Sequence, residues 1–436
     1  METSGKANSK ISAYLANAPN SVFVAYAILA SFSTYFCMYA FRKPFGAATF
    51  DGLEFLNTGI NLKTAFVISQ IIGYTISKYL GCKFCSEIGR HHQAKALIAM
   101  ILIAELALLG FAVLPANIKV AAIFINGLPL GMVWGLVSRY LEGRKTAELL
   151  FAGLSCSYII ASSSVKTVGA WIMGAGVSEF WMPATVGAIF LIPFMLAVYF
   201  LNQLPLPSEA DVTSRSKRTV MDSGDRMAFI RQFLTGIILL LVLYFFLTAY
   251  RDFRDNYMPE IFSAMGYPPE PTLFSKADYP IAFGIMIVMA LLNLAKDHRR
   301  GIVAVFAVMI SGMVLMGVAT LLKDLGQING LWWMILIGFG AYLAYVPFGA
   351  VLFERIMAST KAVGTAVFAI YLCDAVGYTG SVGIQLYKDL GQPQLDYYQF
   401  LRLFTYTMAF VGTTLFAISS VYFYRKSKIS LSSNEN

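Results

Sequence analysis

The sequence predicts an all-α polytopic membrane protein with about twelve transmembrane helices in two six-helix bundles, and three observations predict it. Of 436 residues, 58% are hydrophobic and 13% charged, whereas an ordinary soluble domain carries about 25% charged residues. About twelve windows approach the roughly 20 apolar residues needed to cross a bilayer. A polar stretch over residues 205–231, rich in Ser, Asp and Arg, divides six of these windows from the other six.

The first span, 21–41, follows a polar N-terminus without the ordered charged, apolar and cleavage regions of a secretory signal, so it is expected to be retained. Spans at 62–80, 95–114, 119–140, 147–173 and 181–203 complete an N-terminal bundle over residues 1–204. Residues 205–231 read as a flexible cytoplasmic linker. Spans at 232–252, 279–295, 301–322, 330–353, 362–385 and 401–424 form a C-terminal bundle over residues 232–436. At about 36 residues per span, no room is left for a soluble catalytic domain.

The net charge of +9 is distributed in a way that points to a membrane and away from nucleic acid. With both termini cytoplasmic, 21 Lys and Arg fall on the cytoplasmic side and 10 on the other, with Lys78 and Lys166 inside spans. That is the positive-inside pattern, and it predicts a cytoplasmic-membrane protein. The five cysteines fall mostly within spans and form no extracellular disulfide framework. Cys82 and Cys85, followed by His91 and His92, read as solvated loop residues, because the gap is too short for a zinc finger; no metal site is expected. His298 also falls in an expected cytoplasmic loop.

The halves echo each other. Arg42 late in span 1 matches Arg251 late in span 7, and the Gly127, Gly131 and Trp134 region of span 4 matches Gly338, Tyr342 and Tyr345 of span 10. FAGLSC at Phe151 matches FAIYLC at Phe368. Similar offsets in chain order fit a duplicated six-helix unit, with a solute site between the halves near the bilayer midplane.

A charge at a helix centre costs roughly 2.5–3.5 kcal/mol on insertion scales, so intramembrane charges mark candidate function. Arg42 and Lys43, in YFCMYAFRKPF, either snorkel to the headgroups or sit deeper on a helix extended to about Phe50 by the apolar run that follows. Span 7 ends in TAYRDFRDNYMPE, where Arg251 with Asp255 and Arg254 with Asp252 satisfy each other at helix spacing, Arg254 nearer water. Lys166 and Asp374 each face a cavity or an ion-pair partner. Glu105 is either a proton carrier or a neutral carboxyl packed in the bundle. Tyr35, Tyr39, Trp134, Tyr158, Tyr345 and Tyr371 line a cavity or pack helices, and Gly127 and Gly131 allow close helix packing. No nucleophile and base constellation, P-loop or HExxH run is present, so neither an enzyme nor a cofactor is expected.

At YFCMYAFRKPF and NGLPLGMVWGLVSRYLEGR the chain resembles the major facilitator superfamily. The Arg-Lys pair behind tyrosines in helix 1 and the helix-4 pattern Gly127, Gly131, Met132, Trp134 and Arg139 resemble its organophosphate:phosphate antiporter branch. So does the helix-7 run Arg251, Asp255 and Pro259. The resemblance implies a monomeric transporter working by alternating access, in which Arg42 and Arg251 bind a phosphorylated small solute. Lys43 and Lys166 add positive potential, and Asp374 pairs with a basic residue when the site is empty. Two departures stand out: the loop 2–3 signature survives only as GCKFCSEIGRHH without its Asp, and Tyr158 stands nearest to the branch's helix-5 histidine. The alternatives are a proton-coupled symporter of a neutral or carboxylate solute, using Asp374 or Glu105, and a non-transporting sensor on the same scaffold.

Overall fold

Apolar windows become helices wherever proline and glycine permit, and the computed structural model describes residues 9–142, 144, 146–207, 211, 223–293, 297–360 and 366–432. Two compact units result, Met1–Ser216 and Lys217–Asn436. In unit 1, α1 (Lys10–Asn17) is capped by the Ser9 hydroxyl, which accepts from the Ser12 N–H. Six long helices follow: α2 (Asn20–Tyr39), α3 (Leu62–Glu87), α4 (Arg90–Val113), α5 (Ala116–Leu141), α6 (Ala147–Gly174) and α7 (Met182–Asn202). In unit 2, α8 (Ser223–Gln232) leads into α9 (Leu234–Asn256), with a short α10 (Met258–Ala264) behind it. There follow α11 (Leu273–Asn293), α12 (His298–Asp324), α13 (Gly330–Pro347), α14 (Phe353–Thr360), α15 (Ala366–Leu386) and α16 (Tyr397–Ser432).

Among the described residues, ten helices are long and apolar enough to cross a membrane. The other two of spanning length, α3 with 26 residues and α15 with 21, carry polar groups such as Gln70 and Asp374. Pro19 and Pro115 stand at the N-caps of α2 and α5, where a fixed φ helps and no N–H is lost. Pro129, Pro193, Pro280 and Pro347 lie inside helices, which membrane helices tolerate when neighbours satisfy the freed carbonyls. Behind Pro347 the ladder loosens into a π turn, Phe348–Leu352, that joins α13 to α14.

Within each unit the same helix pairs touch. The first helix packs on the fifth and sixth, as α2 on α6 and α7, and as α9 on α15 and α16. The second packs on the fourth, as α3 on α5 and α11 on α13; the third packs on the fourth and sixth, as α4 on α5 and α7, and α12 on α13 and α16. This shared packing scheme supports the duplication expected from the sequence offsets.

Several boundaries depart from expectation. α3 runs on to Glu87, so Cys82 and Cys85 belong to a helix, and the half-buried Cys85 thiol faces the Met132 carbonyl. His91 and His92 form the first turn of α4, and His298 opens α12. Among the described residues no group of three or more metal-ligating side chains converges. Part of the expected linker is helical as α8, and its residues 208–210 and 212–222 lie outside the described residues.

Unit 1 depends on one close crossing. At Gly127 of α5 an added Cβ would collide with the Gln70 carbonyl of α3, and at Gly73 of α3 it would collide with the Phe124 carbonyl of α5. Small residues let two backbones approach where lipid supplies no hydrophobic drive between helices. Gly127→Val should therefore lower stability by about 1–3 kcal/mol, the usual range for overpacking, read as an earlier thermal unfolding midpoint in detergent. An unchanged midpoint would mean that the two helices can separate at this crossing at no cost.

Candidate functional site

In unit 1 the site begins where α2 stops. The helix ends at Tyr39, and the N–H groups of Arg42 and Lys43 both turn back to the Tyr39 carbonyl at 3.0 and 2.9 Å. Pro44 disfavours helix for the residue before it, and the chain continues as a 3₁₀ turn, Pro44–Ala47. The expected helical extension to Phe50 does not form. Nevertheless the segment stays inside the bundle: Arg42 and Lys43 are buried, as are Pro44 to Ala48 and Phe50.

Non-helical backbone at such a place needs partners. Gln70 of α3 donates to the Arg42 carbonyl at 3.0 Å and to Asn126 Oδ1 of α5 at 2.8 Å. Asn126 in turn donates to the carbonyls of Phe41 and Ala104, both at 3.0 Å. Lys63 Nζ reaches the Gly46 carbonyl at 3.4 Å. Phe50, at φ 54°, holds a left-handed backbone that a bulky side chain rarely adopts, and its ring packs 5.3 Å from those of Phe66 and Phe180.

The Arg42 guanidinium lies 3.9 Å over the Tyr74 ring of α3 and 5.9 Å from the Tyr39 ring. Tyr39 stands edge-on to Tyr35 at 5.6 Å, and Tyr35 edge-on to Trp134 of α5 at 5.2 Å. Arg42, Tyr39 and Trp134 are thus brought together, in an aromatic setting that suits a planar cation. Lys166 is completely buried on α6, and Tyr158 is half-buried on the same helix. Glu105 of α4 is buried against Gly187 of α7 and Phe41, and its Oε2 has no hydrogen-bond partner among the described residues.

In unit 2 Arg251 remains inside α9, five residues before its end, whereas Arg42 lies three residues past the end of α2. The repeat partners therefore differ in local backbone. The Arg251 guanidinium lies 4.2 Å over the Tyr345 ring of α13 and donates to Asp252 Oδ1 at 2.8 Å. Tyr345 stacks on Tyr244 of α9 at 5.1 Å, and the Tyr244 hydroxyl donates to Asp374 Oδ1 of α15 at 2.8 Å. Arg251, Tyr345 and Asp374 thereby join one cluster through Tyr244. Asp255 is buried on α9, while Tyr371 of α15 is a position whose side chain lies outside the described set.

The model of DUF5690, a family of unknown function, matches residues 44–426. The chain belongs to the DUF5690 family. No curated protein sequence matches it. The DUF5690 chain is similar to the solved nucleoside transporter NupG, at 14% identity and TM-score 0.60, over 91% of this chain and 99% of that one. It is similar to the major facilitator proton:xylose symporter XylE at 16% identity and TM-score 0.58, over 93% and 96%. It is also similar to a POT family transporter in complex with 5-aminolevulinic acid, at 12% identity and TM-score 0.59, over 93% and 96%. At such identities the likeness gives the fold, which is the major facilitator fold. These matches do not single out the organophosphate:phosphate antiporters.

Several residues of these two clusters are not apparent from the sequence. Arg254 does not face water or pair with Asp252: it is buried, and its Nη1 donates to Asp278 Oδ1 of α11 at 2.9 Å. Its Nε and Nη2 donate to the Met334 carbonyl of α13 at 3.2 and 2.9 Å, so it fastens three helices. Tyr74, Tyr244, Gln70 and Asn126 were likewise unassigned; for the two amides the available signal was an uncharged polar group deep in an apolar span, which has to be satisfied. Breaking a buried pair by removing one partner costs about 3–5 kcal/mol, while an apolar replacement of both is far milder. Asp278→Ala should lower the thermal unfolding midpoint of the DUF5690 protein sharply, and Arg254→Leu with Asp278→Leu should recover most of the loss. If the double variant is as unstable as the single one, the carbonyl contacts of Arg254 and not its ion pair hold the helices.

Proposed function

We propose that this protein is a secondary transporter of the cytoplasmic membrane, both termini inside, that moves a small anionic, phosphorylated solute by alternating access. The reading rests on the major facilitator fold together with one recurrent arrangement: the repeat-related arginines, Arg42 buried and Arg251 half-buried, each lay the guanidinium over a tyrosine ring. Arg42 on Tyr74 does this in unit 1, and Arg251 on Tyr345 in unit 2. A guanidinium offers a planar fork matched to phosphate oxygens, and an aromatic support fixes its plane without neutralising its charge. Each unit supplies one arginine to anion recognition, with Lys43 and Lys166 adding positive potential. Asp252 and Asp374 provide carboxylates for the cations of the empty state. The organophosphate:phosphate exchange of the resembled branch is the specific activity this arrangement suits, with the protein acting as a monomer.

A second reading, proton-coupled uptake of a neutral or carboxylate solute, is favoured by the Tyr244 to Asp374 hydrogen bond and by the enclosed Glu105 carboxyl. The solved xylose neighbour is a proton symporter, which is compatible with it. Counterflow in proteoliposomes separates the two. Exchange of a phosphorylated solute without a pH gradient is expected, and Arg42→Lys, which keeps the charge but loses the fork, should reduce it at least about tenfold, corresponding to 1.4 kcal/mol or more. Full exchange in Arg42→Lys would refute bidentate recognition, and uptake only under a pH gradient would favour the symporter.

A further inference from the structure

At the end of unit 1 opposite Arg42, a cavity of about 270 Å³ is lined by Gly89, Arg90, Arg139, Tyr140, Arg144 and Leu206, among others. The two ends are joined by α3: Gln70 holds the Arg42 carbonyl, and the Cys85 carbonyl accepts from Arg139. The fifteen residue steps from Gln70 to Cys85 span about 22 Å at 1.5 Å per residue.

Among the described residues the three arginines are positioned by carbonyls, one amide and aromatic rings. Arg139 Nη1 donates to the carbonyls of Cys85 and Ile88, the latter at 2.6 Å. Arg90 Nη2 donates to the Leu204 carbonyl at 2.7 Å, its Nη1 to Gln93 Oε1 at 3.4 Å, and its plane lies 3.8 Å over the Tyr140 ring. Arg144 donates through Nη2 to the Pro205 carbonyl and through Nε to the Tyr140 carbonyl at 3.4 Å, and lies 4.7 Å over Phe23. None of the three has a carboxylate within ion-pair distance among the described residues. Asp211 is the one acid whose charge acts on Arg144.

Carbonyls and rings orient a guanidinium but leave its charge in place. Each guanidinium has five N–H donors, and Arg90 Nε, Arg139 Nε and Nη2, and Arg144 Nη1 bond to no described group. Burial and the neighbouring Arg90 hold Arg144 down to about 10, against the opposing charge of Asp211. An anion in the cavity would oppose both effects by favouring the charged guanidinium.

We infer that this arginine-lined cavity binds a phosphate-class oxyanion, carried either by free phosphate or by the headgroup of an anionic lipid. It lies at the end of α3 remote from Arg42 and does not depend on Arg42. To keep the two apart, every measurement is made in an Arg42→Gln background of the full-length protein. One arm follows the thermal unfolding midpoint in detergent against inorganic phosphate, with chloride at matched ionic strength as control. The other counts phosphatidylglycerol against phosphatidylcholine retained from mixed nanodiscs, by native mass spectrometry.

Arg90→Gln and Arg144→Gln should each weaken the response about tenfold, corresponding to 1.4 kcal/mol for a lost charge-assisted contact. Leu206→Glu guards against misfolding of those variants: Leu206 is 56% exposed, and the new carboxylate occupies the cavity without removing any arginine contact. Phosphate stabilisation lost in Leu206→Glu establishes free phosphate as the ligand. Selective phosphatidylglycerol retention lost in Leu206→Glu establishes the headgroup. No response in either arm, or a response that all three variants leave intact, overturns the inference.

Discussion

Every backbone N–H and carbonyl inside a membrane bundle must find a partner within the protein, and unit 1 is organised around one place where the helix cannot supply it. Between Tyr39 and Ala48 the chain leaves the α-helical ladder, and the amides of Gln70 and Asn126 replace the missing bonds. Those amides reach across because α3 and α5 cross with Gly73 and Gly127 between them. The close crossing, the broken helix and the buried Arg42 are therefore one construction: separating α3 from α5 would also strip the polar partners from the turn that carries the arginine.

The two units share a packing scheme but not its chemistry. In unit 1 the aromatic support of the arginine comes from the second helix, through Tyr74; in unit 2 it comes from the fourth, through Tyr345. Unit 2 retains an intact helix at Arg251 and surrounds it with hydrogen-bonded side chains, Asp252, Tyr345, Tyr244 and Asp374. Arg254, one turn further, has a different purpose, holding α9, α11 and α13 together through Asp278 and the Met334 carbonyl. Two arginines three residues apart on one helix thus divide into a half-buried cation that lies on a ring beside Asp252 and a structural clamp, and sequence spacing does not distinguish them.

The helices were legible because hydropathy alone defines a spanning window; their ends were not. Charged and polar residues at a helix end lower the apolar average although the backbone continues, which is why α3 runs past its expected end to Glu87. The same effect concealed Asp278: span 8 was expected from residue 279, whereas α11 begins at Leu273 and buries that carboxylate. Arg42 and Arg251 stood out because a charge in an apolar run is conspicuous. Tyr74 and Tyr244 did not, since tyrosine is ordinary in a chain with 24 of them and their roles arise only from which helices face each other.

The buried ionisable groups are divided unequally between the units. Among the described residues, unit 1 buries Arg42, Lys43, Lys63, Lys119 and Lys166 with the single carboxyl Glu105, whereas unit 2 buries Arg254, Arg355 and Lys388 with Asp252, Asp255, Asp278 and Asp389. A charge carried through the whole membrane field does work of about 2.3 kcal/mol per 100 mV. In the transport cycle proposed above, a step that displaces the cation-rich helices of unit 1 along the membrane normal is electrogenic on its own, even when the solute is neutral overall. The membrane voltage is then a thermodynamic input to that proposed cycle, and it favours whichever arrangement brings those cations nearer the negative side.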